Sequence, residues 1–249
     1  MLSVVCWKWG TLYSMDYVNL LRAMLTRHLH IPHQLYCITD DDTGMDPAVI
    51  RVPMFPDTFP GMTSSSGKRA NFRRLRIFDK DMASLFGPRI LQLDVDVVFT
   101  DDVTPLFSRT EPLLAFDQRH MPPQYAKPVR GWQNIPKFNT SVVLMDTGVL
   151  GHLWTEFKAN PASVWERVRA ARIGDGNNSD QAVFGYYAIP LNPVGWGPHD
   201  GVWPFYKVRN FAEGNGFQEG CRVVLFFGSE KPDHEAVQKQ CPWILDHWQ

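Results

Sequence analysis

Two aspartates, Asp94 and Asp96, interrupt an apolar run in the segment RILQLDVDVVFTDDVTPLF, Arg89 to Phe107. RILQL before them and VVF after them read as one buried strand from Arg89 to Phe99. Strand side chains alternate between faces, so residues two apart share a face. Two carboxylates on one face repel each other unless a cation sits between them. Hard oxygen donors suit magnesium, manganese or calcium. An isolated Asp-x-Asp also reads as a solvated turn, but the apolar runs on both sides argue against that here. Asp101 and Asp102 lie a few residues on and read as helix-capping or surface carboxylates.

Two further stretches carry chemistry-bearing side chains. GKRANFRRLRIF holds Lys68, Arg69, Arg73, Arg74 and Arg76 on a helix-like pattern. GWGPHDGVWPFYKVRNF interleaves Trp196, His199, Trp203, Tyr206, Lys207 and Arg209. Such a mix stacks sugars; it also stacks flipped bases and binds phosphates.

The elements that must position these residues alternate. LSVVCW reads as a buried strand, and SMDYVNLLRAMLTRHL puts Tyr17, Leu20, Leu21, Met24, Leu25 and Leu29 on one helical stripe with Ser14 as N-cap. HQLYCIT and AVIRVP are the next strands, separated by the turn-rich DDDTGMD. A helix-like KRANFRRLRIFDKDMASLF then leads into the Asp-x-Asp strand. In the second half PLLAF, NTSVVLMDTG, AIPLNPV and CRVVLFFG read as strands. LGHLWTEFKANP and ASVWERVRAARI read as helices, and NNSDQAVFGYY as a helix start capped by Ser179 or Asn178. Between PLLAF and NTSVVLMDTG runs the aperiodic DQRHMPPQYAKPVRGWQNIPKF, and loops of that length in a compact domain are usually functional. This order implies an α/β fold with a mixed, mostly parallel sheet flanked by helices. Ligands then bind outside the carboxyl ends of the strands, where Asp94 and Asp96 stand. With no linker in view, residues 1–249 read as a single domain, with a nucleotide-binding half of about 1–107 and a second half of about 108–249.

Composition excludes several classes. The chain has 249 residues, 44% hydrophobic and 20% charged, as in an ordinary globular protein. A formal net charge of −1 gives no bulk field toward nucleic acid or membrane, so any such partner must be held by a local patch. Cys6, Cys37, Cys221 and Cys241 lack the close spacing of a metal site, and a reducing compartment is expected. No stretch reaches the ~20 apolar residues of a membrane span, and MLSVVCWKWG lacks the pattern of a signal peptide. The expectation is a cytoplasmic protein, in the host cytoplasm if the source is viral.

Across nearly its whole length the chain resembles GT-A-fold (Rossmann-like) glycosyltransferases of the glycogenin and lipopolysaccharide-galactosyltransferase type, and a related group of bacterial and viral sugar-nucleotide transferases. KWGTLYSMDYVNLLRAMLTRHL, YCITDDDTGMDP, ILQLDVDVVFTDDVTPLF, FNTSVVLMDTG, SDQ, FYK and VVLFFGSEKP follow the family's order. The resemblance implies transfer of a sugar, hexosyl or pentosyl, from a nucleoside-diphosphate sugar (a UDP-sugar above all) to a hydroxyl acceptor. It implies retention of anomeric configuration and help from Mn2+ or Mg2+.

The same resemblance assigns roles. Asp96 binds metal, and Asp94 contacts ribose or metal. The family's third ligand is a histidine shortly before the glycine of a pattern ending Lys-Pro. Gly228, Lys231 and Pro232 match that pattern, but Leu225 or Phe227 fills the ligand position. His234, a water molecule, or weak metal binding are the alternatives. Lys231 suits the leaving diphosphate as a point charge. Trp7, Lys8, Trp9 and Tyr13 form the base and ribose wall, with Asp40 accepting from a uracil N–H. Trp7 and Tyr13 equally suit a core, and Asp40 a turn cap. Arg74 rather than Arg73 faces the donor. Asn139, Asp180 and Gln181 frame the reacting sugar. If the reaction inverts, Asp180 is the base; as a plain helix residue it favours the N-terminal dipole.

Trp203, Tyr206, Lys207 and Arg209 are read as the acceptor side. The acceptor is a glycan, a lipid-linked sugar, a small metabolite or a hydroxymethylated base in DNA. Two other classes compete. A nucleotidyltransferase would carry a Gly-rich, basic loop after the first strand, which WKWGTLYS is not. A non-catalytic sugar-nucleotide-binding module is supported only by the missing histidine.

Overall fold

Every side chain of β1 (Leu2–Lys8) is buried, which is what a continuous apolar run gives in the middle of a parallel sheet. β2 (His33–Thr39) pairs with it in parallel, Cys6 opposite Cys37 and Lys8 opposite Thr39. β3 (Ile50–Pro53) continues in parallel beyond β2. The computed structural model describes residues 1–57, 59, 72–117, 138–171, 179–209, 220–226 and 228–249. The loop over 118–137, Lys68, Arg69, Asn178 and Phe227 lie outside these residues.

The other strands are β4 (Arg89–Leu93), β5 (Val98–Phe99), β6 (Leu113–Asp117), β7 (Phe138–Asp146), β8 (Val194–Trp196), β9 (Val202–Pro204) and β10 (Val223–Leu225). They form a seven-stranded sheet in the order β3-β2-β1-β4-β7-β6-β8 and a three-stranded sheet β5-β10-β9. The architecture is the expected mixed, mostly parallel α/β arrangement flanked by helices.

The chain divides into two units, one of Met1–Met54, Leu91–Thr110 and Trp196–Gln249, the other of Phe55–Ile90 and Glu111–Gly195. In the first, the helix Asp16–His28 buries Tyr17, Leu21, Met24 and Leu25 of the expected stripe and also Val18, while Leu20 is half-buried. Its expected cap differs. Met15 holds the N-cap position without a side-chain bond, and Ser14 Oγ instead donates to Asp16 Oδ2 at 3.0 Å. The strand expected from Arg89 to Phe99 is two strands. The first ends at Leu93, and Val98–Phe99 pairs antiparallel with β10 in the other sheet. Asp94 and Asp96 therefore leave the ladder, and strand alternation does not govern where they point. Asp102 Oδ1 accepts from the Thr104 amide at 2.8 Å, a local turn just before the short helix Thr104–Phe107, whose N-cap is Val103.

In the second unit, the helix expected through 68–86 is described from Phe72 on. It is 3-10 helix over Phe72–Phe78 and Lys80–Met82, then α-helix over Ala83–Phe86. Asp79 caps the second piece by accepting from the Asp81 amide. β6 and β7 pair antiparallel, with a register shift at Ala115/Phe116. The strand expected in AIPLNPV is displaced: Ile189–Leu191 is 3-10 helix and β8 starts at Val194. Gly195 is required there, because a Cβ at that position would come within 2.3 Å of Asp117 Cβ. The helices Gly151–Ala159, Pro161–Ala170 and Asp180–Ala188 complete the unit.

All four cysteines are buried and free. Among the described residues no helix is long and apolar enough to cross a membrane.

Candidate active site

The first unit gathers its polar groups where the strand order changes direction. The chain builds β1, β2 and β3 outward, then returns to lay β4 on the other side of β1. Ligands of open α/β sheets sit outside the carboxyl ends at such a switch point. The Trp7–Tyr13 segment leaves β1 there, and Asp94–Asp96 leaves β4.

Asp96 is buried, 4% exposed, and Asp94 half-buried. Tyr13 Oη donates to Asp96 Oδ2 at 2.9 Å. Lys231 Nζ donates to the same oxygen at 2.5 Å as an ion pair. The ammonium also stands 5.5 Å from the centre of the Tyr13 ring. Burial, and then the charge of Asp94, push the Asp96 carboxyl above its ordinary value, while Lys231 and Tyr13 pull it back. Burial and the Asp96 charge hold the Tyr13 hydroxyl protonated, well above the ordinary phenol range.

In the first turn of the helix Asp16–His28, Tyr17 packs edge-on against Tyr13 at 4.8 Å and against Trp248 at 5.1 Å. Burial, and then the nearby Asp233 carboxylate, push the Tyr17 hydroxyl well above the ordinary phenol range. Lys231 ties the segment after β10 to Asp96. Sequence reasoning did not anticipate Tyr17 or Asp233, nor that Tyr13 meets Asp96 itself.

The fit of a divalent metal rests on the donor set. Asp94 and Asp96 present the hard oxygens that Mg2+ or Mn2+ takes, and such ions complete their shells with water and substrate phosphate. His234 does not join them. It is exposed at the head of the helix Glu235–Gln240, with Nε2 3.9 Å from Asp233 Oδ1. Among the described residues no three His, Cys, Asp or Glu side chains gather to hold a metal. His234 stands at the N-cap of the helix Glu235–Gln240, and Leu225, one of the two residues at the expected ligand position, is buried at the end of β10. The two aspartates fit a cation held mainly by water and ligand oxygens.

The expected base-binding wall is mixed. Trp7 is 5% exposed and meets Trp9 edge-on at 6.4 Å, so Trp7 is core while Trp9 is half-buried. Lys8 is buried at the end of β1. Asp40 is exposed, and both its oxygens accept from the Gly10 amide, at 3.3 and 3.2 Å. Gly10 has φ of +60°, a conformation that favours glycine, so Asp40 fixes the turn after β1.

The residues expected on the acceptor side also lie in the first unit. Trp203 is buried, Tyr206 and Lys207 half-buried, and Lys207 Nζ stands 6.0 Å from the Trp203 ring centre. Arg209 Nη1 pairs with Glu230 Oε1 at 2.7 Å. Trp196 is wholly buried against Phe107, which removes it from any platform.

The second unit holds the remaining expected residues as two pairs. Arg74 Nε lies 3.5 Å from Asp180 Oδ2, and Arg74 Nη2 donates to the Thr140 carbonyl at 3.2 Å. Asn139 Nδ2 donates to Gln181 Oε1 at 2.7 Å, while Asn139 Oδ1 accepts from the Ser141 amide. Ser179 caps the helix that presents Asp180 and Gln181, accepting from the Ala182 amide at 3.2 Å.

This sheet order, with an aspartate pair leaving the strand next to β1, is a GT-A-type glycosyltransferase fold. The solved structures it matches include glycosyltransferases. The galactosyltransferase LgtC, in complex with donor and acceptor sugar analogs, aligns at TM-score 0.63 and 13% identity over 98% of this chain and 96% of its own. The apo-form glycosyltransferase GlyE of Streptococcus pneumoniae TIGR4 aligns at TM-score 0.57 and 15% identity over 99% of this chain and 60% of its own. No family model and no curated protein matches the sequence.

Proposed function

We propose that this protein transfers a sugar from a nucleoside-diphosphate sugar, best a UDP-sugar, to a hydroxyl acceptor with retention of configuration, assisted by Mn2+ or Mg2+. The observation that carries the reading is the buried Asp96 beside Asp94 at the switch point, with Lys231 against it. The matched folds are glycosyltransferases, one of them solved with donor and acceptor sugar analogs.

Asp94 and Asp96 would hold the metal. When bound, a divalent ion offsets the charge of the departing diphosphate. Lys231 supplies a second, protein-borne charge for that diphosphate. Trp9, Lys8 and Asp40 line the base and ribose side. Asn139, Gln181 and Asp180 orient the sugar, with Arg74 holding Asp180. Asp180 is engaged by Arg74, which suits retention, in which the leaving phosphate takes the acceptor proton and no enzyme base is needed. Trp203, Tyr206, Lys207 and Arg209 are assigned to the acceptor.

A donor screen tests this reading. The protein is incubated with radiolabelled sugar nucleotides and Mn2+, and release of free sugar is measured. Hydrolysis of a UDP-sugar that stops with a chelator is the expected result. Binding without turnover identifies a non-catalytic module, and release of sugar 1-phosphate in place of free sugar identifies nucleotidyl transfer.

A further inference from the structure

We infer that Lys231 is an internal cation that guards Asp96, so that metal and donor enter the site together rather than metal alone. The inference rests on the reading of Asp94 and Asp96 as metal ligands.

The geometry is specific. Lys231 Nζ and Tyr13 Oη both donate to Asp96 Oδ2, at 2.5 and 2.9 Å. The side chains of Lys231 and Asp96 are 16% and 6% exposed, so water screens the pair poorly. The Tyr13 ring below the ammonium adds a cation–π contact. Lys231 is therefore held against the carboxylate rather than hanging over it.

The charge balance favours joint entry. Asp94, Asp96 and Lys231 together carry one net negative charge. A divalent ion added to that set leaves a net positive charge in a buried place, with an ammonium and a metal ion sharing one carboxylate. Like charges at that range repel strongly where the dielectric is low. Removing the ammonium restores two negative charges for two positive ones. A donor diphosphate does this without expelling Lys231 from the site, because its oxygens give the ammonium a new partner. Donor and metal then bind with positive coupling, and each raises the affinity for the other by the same factor.

The test is Mn2+ binding at pH 8, measured by electron paramagnetic resonance, for the full chain and for Lys231→Met, each with and without UDP. In the unsubstituted protein Mn2+ alone should bind weakly, and UDP should tighten it at least tenfold. Lys231→Met should bind Mn2+ alone at least tenfold more tightly than the unsubstituted protein, with most of the UDP enhancement gone. Unchanged or weaker Mn2+ binding in Lys231→Met overturns the inference. Asp96→Asn separates the two levels: Mn2+ binding indifferent to that change sinks the metal-ligand reading itself. Weaker binding in Asp96→Asn with no gain in Lys231→Met sinks only the guarding role.

Discussion

Arg74 Nε and Asp180 Oδ2 lie 3.5 Å apart, with only 10% and 9% of the two side chains exposed. Buried ion pairs of this kind are weak net stabilisers but costly to break from one side, because the remaining charge is stranded. Asp180→Ala should lower unfolding free energy by about 3 kcal/mol. The double variant Arg74→Met, Asp180→Leu should be less destabilised than Asp180→Ala alone. Urea denaturation checks both; additive losses in the double variant would show that the two residues do not act as a pair.

Asp96→Ala removes more than a ligand. It leaves the Lys231 ammonium in a largely buried place and takes the acceptor from Tyr13. We expect loss of transfer together with a stability loss of about 2–3 kcal/mol. Asp96→Asn keeps an acceptor for Tyr13 and should cost less stability while still losing transfer. The comparison is made by urea unfolding beside an activity assay. An Asp96→Ala protein as stable as the parent would mean that Lys231 and Tyr13 find other partners freely.

His28 and His247 sit 6.5 Å apart, centre to centre, at the end of the helix Asp16–His28. Burial pushes both below the ordinary imidazole range. Arg27 and His247 add to this at His28, Arg27 adds to it at His247, and Asp101 and Asp246 oppose it. The unfolded chain therefore binds protons more readily than the folded one. Their contribution to stability is fully present above the unfolded value of about 6.5 and is lost as pH falls through the lower folded values. Unfolding measured between pH 7.5 and 5 should show this decline, and the double change His28→Gln, His247→Gln should flatten it. A slope unaltered by those changes would assign the pH dependence elsewhere.

Lys207 is half-buried, with its ammonium 6.0 Å from the Trp203 ring centre and its pKa lowered by burial. If it serves the acceptor, Lys207→Ala should depress transfer at least tenfold more than donor hydrolysis, since only transfer needs an oriented acceptor. Equal losses would move Lys207 to the diphosphate side. Comparing DNA containing hydroxymethylated pyrimidines with simple sugars, at low and moderate salt, distinguishes acceptors. Phosphate contacts release counterions, so only the DNA reaction should weaken steeply with salt.

How far the sequence could be read depended on whether a signal was local. β1 and the helix Asp16–His28 were legible because a run of apolar residues and a 3.6-residue stripe are properties of neighbours in the chain. Asp94 and Asp96 stood out for the same reason. The end of β4 at Leu93 did not, because Val97–Phe99 is as strand-like as what precedes it and simply joins another sheet. Nothing near Asp96 announces Lys231, 135 residues away. Trp196 and Trp203 look alike in a stretch rich in aromatic and basic residues, and only the fold shows that both are buried, Trp196 wholly so and against Phe107. Arg74 could be chosen over Arg73 because it precedes the apolar Leu75 and Phe78, but its partner Asp180 lies on a distant helix.

The four buried thiols make the molecule its own reporter of opening. Cys6 and Cys37 face each other at the centre of the β1–β2 pair, and the Cys6 thiol is held well above its ordinary value by its contact with Cys37 and by burial. Cys221 and Cys241 lie near the far end of the chain, the former pushed up to about 12 by burial. A thiol reagent can reach none of them without a fluctuation that exposes it. Labelling rates resolved by peptide mapping would therefore rank how often each region breathes, with no introduced probe. Ligands that close the first unit would register as slower labelling before any product is measured.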